Sequence, residues 1–267
     1  MIRWLAIVAL LALPAMADDA AVRGQLEVGA KATVTEVVDG DTVIISPAPG
    51  GARQVRLVGI QAPKLPLGRK GFRQWPLAPN SKRALERLAL GKAVTLYFGG
   101  TRMYRHGRHL AHLFLDDGLW VQGRLLADGM ARVYTFPDNR AVAADMYVRE
   151  RNARDAGLGI WSHPFYSVRA PDVDPLMRRL GTFQIIEGRV VAAARVKSRI
   201  YLNFGEDWRS DFTVTINGRA RRVFEKAGLD AAGLGNKRIQ VRGWLRKHNG
   251  PMIEATHPEQ IEIVAPK

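Results

Sequence analysis

The sequence contains no cysteine, which excludes disulfides, thiol catalysis and cysteine-ligated metal sites. Beyond its first 17 residues it also has no apolar run approaching the roughly 18 residues that a membrane-spanning helix requires. Stability must therefore come from ordinary hydrophobic cores. With 267 residues, 47% of them apolar, the chain can form one large domain or two small ones.

Residues 1–17, MIRWLAIVALLALPAMA, have the pattern of a secretory signal peptide. A lone Arg3 precedes an apolar stretch that ends in small residues at Ala15 and Ala17. Pro14 and the acidic pair that follows Ala17 suit a cleavage site. We therefore expect export to the periplasm or the medium, with no stable membrane span after signal cleavage.

Acidic residues are scarce relative to basic ones, 25 against 40, so the formal net charge is +15. Such an excess favours a polyanionic partner, which could be nucleic acid, an anionic membrane face or lipopolysaccharide. A merely solubilising charge is the alternative interpretation.

Short β-branched segments between turn residues predict strands at 31–38, 42–46 and 53–60. A helix from Asn80 or Ser81 to Gly91 follows, and then strands at 92–98 and 109–115. This order is that of an OB barrel. Two further helices, at roughly 121–132 and 139–156, would extend the barrel.

The segment 163–175 contains three prolines and no clear period, which indicates a linker. Beyond it the order of elements repeats with different residues. We therefore predict a mainly β fold with helices, in which a five-stranded OB barrel precedes a second, smaller OB-like β-barrel. The predicted divisions are a signal peptide at 1–17, a lead-in at 18–29, the first domain at 30–162, a linker at 163–180 and the second domain at 181–265.

Six short motifs in the first domain together resemble one family. They are VDGDTV at 38–43, RLVGIQAP at 56–63, LGK at 90–92, RHGR at 105–108, GMARVY at 129–134 and GIWS at 159–162. In this order they resemble the staphylococcal nuclease (thermonuclease) family of secreted, calcium-dependent enzymes that hydrolyse DNA and RNA on an OB barrel. The resemblance covers about residues 30–162 and implies DNA or RNA as partner and Ca²⁺ as cofactor.

The chemistry of such a site requires a metal, fixed cations and a base for the attacking water. Asp41 supplies a carboxylate to a hard cation, although the Asp39–Thr42 stretch by itself is typical of a hairpin turn. Arg56 and Arg108 match the two catalytic arginines of the family. Guanidinium groups suit this role because they remain charged and bind phosphate through paired hydrogen bonds.

Two positions depart from the family pattern Arg-Leu-x-x-(Ile/Val)-Asp-x-Pro-Glu. Gln61 stands in place of the metal-binding Asp, and Lys64 in place of the Glu assigned to the water. Metal ligands would then be Asp41, Gln61 and the main-chain carbonyl of Ala62, with Asp39 beside them, and the Ca²⁺ site is weak or lost. An ammonium cannot take a proton from water, so Lys64 converts a hydrolytic arrangement into a binding one.

Other predicted substrate contacts follow from the resemblance. His106 takes the place of a substrate-contacting tyrosine, Arg105 that of a lysine, and Tyr134 lies near the base-stacking aromatics of the family.

In the second predicted barrel, aromatic and basic residues alternate along the strands. They are Tyr201, Phe204, Trp208, Phe212 and Trp244, with Arg199, Arg209, Arg242, Arg246 and Lys247. This pattern fits a groove for single-stranded nucleic acid, and it fits a hydrophobic core with a solvated basic face equally well.

Two functional hypotheses remain open from the sequence. The first is an exported phosphodiesterase, an endo- or exonuclease with an impaired calcium site. The second is a non-catalytic envelope module that binds nucleic acid, another polyanion or a protein partner.

Overall fold

The computed structural model describes residues 18–104 and 107–264. The predicted signal peptide, the predicted substrate contacts Arg105 and His106, and the predicted final residue of the second domain, Ala265, lie outside the described residues.

Among the described residues, the first part of the chain forms eight strands and four α-helices. The strands are β1 (Glu27–Asp39), β2 (Thr42–Ser46), β3 (Gln54–Leu57), β4 (Gly59–Gln61), β5 (Ala93–Phe98), β6 (Met103–Tyr104), β7 (Arg108–Leu115) and β8 (Arg132–Tyr134). The helices are α1 (Asp19–Gly24), α2 (Ala78–Ala89), α3 (Val121–Ala127) and α4 (Ala143–Asp155).

Five of these strands form a closed barrel. The sheet order is β3-β2-β1-β5-β7-β6, and a parallel pairing of β3 with β7 closes it. Alternate side chains of β1, β2 and β5, such as Val34, Val43 and Leu96, fill its interior. The predicted fold of the first domain, a five-stranded OB barrel, is confirmed.

The boundaries of α2 and α3 differ from the sequence predictions. α2 begins at Ala78, earlier than predicted, since Pro79 lies in its first turn where the missing N–H is not needed. α3 ends at Ala127 rather than near Arg132. The chain turns at Gly129, which has a φ of +64°, and residues 132–134 instead form β8, paired with β4.

α4 begins at Ala143, four residues after the predicted start at Asn139. Asn139 lies in a turn, because its main-chain N–H donates to the Phe136 carbonyl (3.0 Å) and its Nδ2 donates to the Thr101 carbonyl (3.0 Å). These bonds to the loop before β6 compete successfully with a further helical turn.

As far as residue 264, where the described residues end, the second part contains eight strands and two α-helices. The strands are β9 (Phe183–Arg189), β10 (Ala192–Val196), β11 (Arg199–Asn203), β12 (Thr213–Ile216), β13 (Arg238–Trp244), β14 (Arg246–His248), β15 (Gly250–Glu254) and β16 (Ile261–Ile263). The helices are α5 (Val173–Met177) and α6 (Gly218–Lys226).

These strands form two sheets, with orders β10-β11-β12-β15-β14 and β16-β13-β9. The parallel pairing of β12 with β15 corresponds to that of β3 with β7, and the antiparallel pairing of β9 with β13 to that of β1 with β5. A separate core, which includes Phe212, Val214 and Phe224, lies between the sheets and α6. The OB-like character of this part stays a prediction supported by these pairings.

The predicted linker is ordered and packed. The Tyr166 hydroxyl donates to the Pro76 carbonyl (2.6 Å), and Arg169 donates to Gln184 Oε1 (2.8 Å). Leu176 is buried in the second core. The division at residue 181 therefore remains a prediction, and the segment before it contacts both parts of the molecule.

A buried ion pair joins the two parts. Arg242 on β13 donates through Nη1 to both carboxylate oxygens of Glu150 on α4 (3.1 and 2.8 Å) and through Nη2 to Glu262 (2.8 Å). Both Arg242 and Glu150 are almost fully buried. Because such a pair requires strict geometry, it holds the two parts in one mutual orientation.

Within residues 18–104 and 107–264, no helix combines the length and apolarity needed to cross a membrane.

Candidate functional site

The turn between β1 and β2 places a carboxylate inside the protein. Asp39 pairs with Thr42 across it, which leaves Gly40 and Asp41 at its tip. A Cβ at Gly40 would lie 2.7 Å from the Cβ atoms of Ala62 and Ser81, so this close approach requires glycine. Asp41 is fully buried as a result.

Lys64 forms an ion pair with both oxygens of Asp41. Its Nζ lies 2.8 Å from Oδ1 and 2.7 Å from Oδ2, and 3.6 Å from Oδ2 of Asp39. The Ala62 N–H also donates to Asp41 Oδ2 (2.8 Å). One ammonium therefore contacts both carboxylates of this turn.

These contacts determine the protonation of the two acids. Burial acts to raise the pKa of Asp41, but the charges of Arg56 and Lys64 and the hydrogen bonds from Lys64 and Ala62 outweigh it and lower this pKa to about 2. Burial, followed by the charge of Asp41, raises the pKa of Asp39. Asp41 therefore stays ionised and is a poor proton acceptor.

Arg56 is oriented by the backbone around it. Its Nη1 lies 3.1 Å from Asp41 Oδ1 and donates to the carbonyls of Asp41 (3.0 Å) and Leu57 (2.8 Å), while Nη2 donates to the Ile60 carbonyl (2.7 Å). Because β3 and β4 supply these acceptors, the guanidinium has a fixed position beside Asp41.

Arg56, Lys64 and Arg108 line a common surface cleft of about 290 Å³. The guanidinium of Arg108 lies 5.2 Å from the ring centre of Tyr104. Its buried Nε has no hydrogen-bond partner among the described residues. A cleft bordered by several cations is suited to an anion with several oxygens.

Arg69 also lines this cleft, although sequence reasoning did not single it out. Its Nε and Nη2 donate to the carbonyls of Pro66 (3.0 Å) and Leu65 (2.6 Å), and it stacks 3.8 Å from the ring centre of Phe72. The density of basic residues just after Lys64, at Arg69, Lys70 and Arg73, is the signal that could have indicated it.

Two predicted site residues have other partners. Gln61 Oε1 accepts hydrogen bonds from Nε (3.0 Å) and Nη2 (2.8 Å) of Arg132, the residue opposite it on β8. Tyr134 lies where the two parts of the molecule meet, and its hydroxyl accepts from Trp244 Nε1 (3.0 Å). Tyr134 lines a different cavity from Arg56 and Arg108.

Comparisons with known proteins agree with the barrel. Residues 54–163 match the model of the staphylococcal nuclease homologue family. The N-terminal domain belongs to the staphylococcal nuclease family.

Two relatives of this staphylococcal nuclease domain are named as endonucleases. The SPbeta prophage-derived endonuclease YokF of Bacillus subtilis (strain 168) is 31% identical over 135 residues, 50% of this chain and 45% of the relative. Endonuclease YncB of the same organism is 30% identical over 135 residues, 50% of this chain and 63% of the relative. The chain thus spans about half to three fifths of the length of these relatives.

Members of the staphylococcal nuclease family typically depend on calcium, but the residues of this cleft do not fit that ion. Calcium requires several oxygen ligands, whereas both oxygens of Asp41 already contact the Lys64 ammonium and Gln61 is bound to Arg132. In the part of the chain that the structure describes, no group of three or more His, Asp or Glu side chains could hold a metal ion.

The main chain at Ala62 contacts Asp41 through its N–H, and the role predicted for its carbonyl stays a prediction. Asp39 lies beside Lys64 as a second negative charge. Of the predicted metal ligands, Asp41 and Asp39 therefore lie against an ammonium, and Gln61 lies against Arg132.

Proposed function

We propose that this protein is an exported nucleic-acid-binding member of the staphylococcal nuclease family in which calcium-assisted hydrolysis is impaired. The observation that carries the proposal is the contact of Lys64 Nζ with both oxygens of Asp41, at 2.8 and 2.7 Å. It favours the binding hypothesis over the catalytic one, since a tethered ammonium replaces the ion that would polarise a phosphate.

Three cations would hold a phosphodiester in the cleft. Arg56 and Arg108 would donate to its non-bridging oxygens, and the Lys64 ammonium would supply an additional charge. Arg69, at the margin of the same cleft, would contact an adjacent phosphate. Together they account for affinity that requires neither sequence recognition nor a metal.

The cleft offers little for activating water. Asp41 is held as an anion by two cations, and Lys64 occupies the position that the family gives to a Glu. Loss of a general base typically lowers a rate by a factor of about 10² to 10⁴. We therefore expect residual cleavage at most, independent of calcium.

The decisive experiment compares the full chain with Lys64→Glu and Gln61→Asp variants on single- and double-stranded DNA and RNA, with calcium or with chelator. We expect tight binding and little cleavage by the unmodified chain. Lys64→Glu should introduce calcium dependence, because it places a second carboxylate beside Asp41. Gln61→Asp alone should not, because residue 61 lies against Arg132.

Strong, chelator-sensitive cleavage by the unmodified chain would contradict the proposal. Absence of any nucleic-acid binding would contradict it as well. Export rests on the pattern of residues 1–17 and is tested separately, by fractionation of cells that produce the full chain.

A further inference from the structure

A second surface cavity, of about 380 Å³, lies on the outer face of the sheet β10-β11-β12-β15-β14. Residues opposite one another across the strands form two rows there. One row runs through Tyr201 and Thr215, and the other through Asn203, Thr213 and Met252. The inward-pointing neighbours Ile200, Leu202 and Val214 belong to the core. The sheet thus has an apolar inner face and an outer face with a ring, hydroxyls and an amide.

Trp208 completes the cavity from the loop between β11 and β12. Its side chain is 52% exposed, and the guanidinium of Arg209 lies 4.3 Å from its ring centre. Asp207 accepts hydrogen bonds from Arg209 N (3.2 Å) and Ser210 Oγ (2.7 Å), and Asp211 accepts from Gly205 N (2.9 Å). The loop is therefore shaped by its own side chains before any ligand binds.

The turn between β14 and β15 supports this loop from below. Asn249 has a φ of +63°, and Gly250 follows it. A Cβ at Gly250 would lie 2.2 Å from the Asp211 carbonyl and 2.3 Å from the Ser210 carbonyl. Only glycine allows the hairpin to approach the loop so closely, which further fixes Trp208 over the cavity.

Basic residues lie near the cavity. Arg199, Arg209, Arg246 and Lys247 are exposed on the neighbouring strands and loops, and Arg246 lies 3.6 Å from the Glu254 carboxylate. A ligand that combines a flat apolar body with hydrogen-bonding edges and attached negative charge complements these features together. A nucleotide in a single strand has this combination, because every base has a face that can stack and every linkage a phosphate.

We propose that this cavity binds an unpaired base of single-stranded nucleic acid, stacked on Tyr201 and Trp208, while the flanking cations contact its phosphates. This inference adds a second binding site to the proposed function. It rests on the proposed function, which supplies nucleic acid as the class of ligand. A neutral sugar would contact the same rings and hydroxyls, but it has no negative charge to pair with the basic residues near the cavity.

The experiment measures binding of a labelled oligothymidylate to the full chain by fluorescence anisotropy. We expect Trp208→Ala and Tyr201→Ala each to weaken binding by about 5- to 100-fold, the effect of losing one stacked base. Trp208→Phe, which retains a ring, should restore most of the affinity. Trp208 lies in an exposed loop, so its replacement leaves both hydrophobic cores intact. The Trp208→Ala result therefore tests the proposal even if the Tyr201→Ala variant fails to fold.

An abasic strand of equal length serves as the control ligand, since it has the same phosphates without bases. Its affinity should not change in Trp208→Ala. The inference is overturned if that variant binds oligothymidylate as well as the unmodified chain does, if both strands lose affinity equally, or if a neutral oligosaccharide competes for the site.

The cleft is tested independently by Arg56→Ala/Lys64→Ala. If this double variant loses oligonucleotide affinity and Trp208→Ala does not, the proposed function stands and the base-binding cavity is rejected. If both lose affinity, both proposals stand. If only Trp208→Ala loses affinity, the cavity stands and the role of the cleft is rejected.

Discussion

In the N-terminal cleft, charges are buried, paired and held by backbone carbonyls, whereas the C-terminal cavity is lined by aromatic rings and buried hydroxyls, with the charges outside it. Arg56 and Lys64 both contact the buried Asp41. In the cavity, Trp208 is half exposed and Tyr201 is partly buried, while Thr213 and Thr215 are buried. Related strand pairings thus support two kinds of site, one suited to phosphate and the other to a base, because the side chains and loops differ while the pairing is retained.

The two regions also differ in how they are joined to the rest of the molecule. The cleft belongs to the barrel alone, since its residues come from β1, β2, β3, β7 and the loop after β4. The cavity belongs to a sheet whose position relative to the cleft depends on the contact between α4 and β13.

Removal of the buried ion pair between the two parts should have the largest effect. Glu150→Ala leaves Arg242 buried with Glu262 as its remaining carboxylate partner, and we expect it to lower the free energy of unfolding by about 3 kcal/mol. Urea denaturation measures this. Arg151→Ala, which removes a more exposed bond to Glu262 (3.0 Å), is the matched control and should cost less than about 1 kcal/mol. Equal effects would show that the joint does not depend on the buried pair.

His257 lies between the two parts, with its Nε2 2.7 Å from Thr135 Oγ1, and should make stability depend on pH. Burial, followed by the charge of Arg140, lowers the pKa of His257 to about 4 from its usual 6.5. The unfolded chain therefore binds a proton more readily, and the stability present above pH 6.5 is lost as the pH falls toward 4, by roughly 2–3 kcal/mol. We expect His257→Gln to flatten this part of the curve of unfolding free energy against pH. An unchanged slope in the variant would rule out His257 as its source.

The cleft should show its own pH dependence at lower values. Because the pKa of Asp41 is lowered to about 2 from 3.8, its contribution to stability is complete above pH 4 and is lost as the pH falls toward 2. The loss should amount to about 2 kcal/mol. Urea denaturation of Asp41→Asn and the unmodified chain at several pH values would measure it. Curves that stay parallel down to pH 2 would contradict the ion-paired arrangement.

The smallest effect concerns the margin of the cleft. If Arg69 contacts a phosphate, Arg69→Ala should make the slope of log oligonucleotide affinity against log salt concentration less steep, by the amount expected for about one phosphate contact. Stability should change little. A salt titration by anisotropy measures this slope. Arg151 lies on α4 away from the cleft, so Arg151→Ala should leave the slope unchanged. An equal change in both variants would show that Arg69 is not part of the site.

Much of the fold could be predicted from the sequence, because strand patterns and turn residues act locally. The turn at Gly40–Asp41 is an example. The end of α3 and the start of α4 could not be predicted from the sequence. Gly129 turns against Leu158, and Asn139 bonds to Thr101. In each pair the two residues are distant in the chain. The sequence also did not show which aromatic residues of the second part lie in the core and which lie at its surface. Phe204 and Phe212 are in the core, Trp244 contacts Tyr134, and Tyr201 and Trp208 line the cavity.

The sequence by itself determined the order of strands in the first barrel, the excess of positive charge and the replacement of two family carboxylates by Gln61 and Lys64. Tertiary structure alone decided what those replacements do. Lys64 folds back onto both oxygens of Asp41, 23 residues earlier in the chain, and Gln61 bonds to Arg132, 71 residues later. The physical reason is that a buried charge or amide must find a partner, and which partner lies within reach is determined by packing between segments that no local pattern relates.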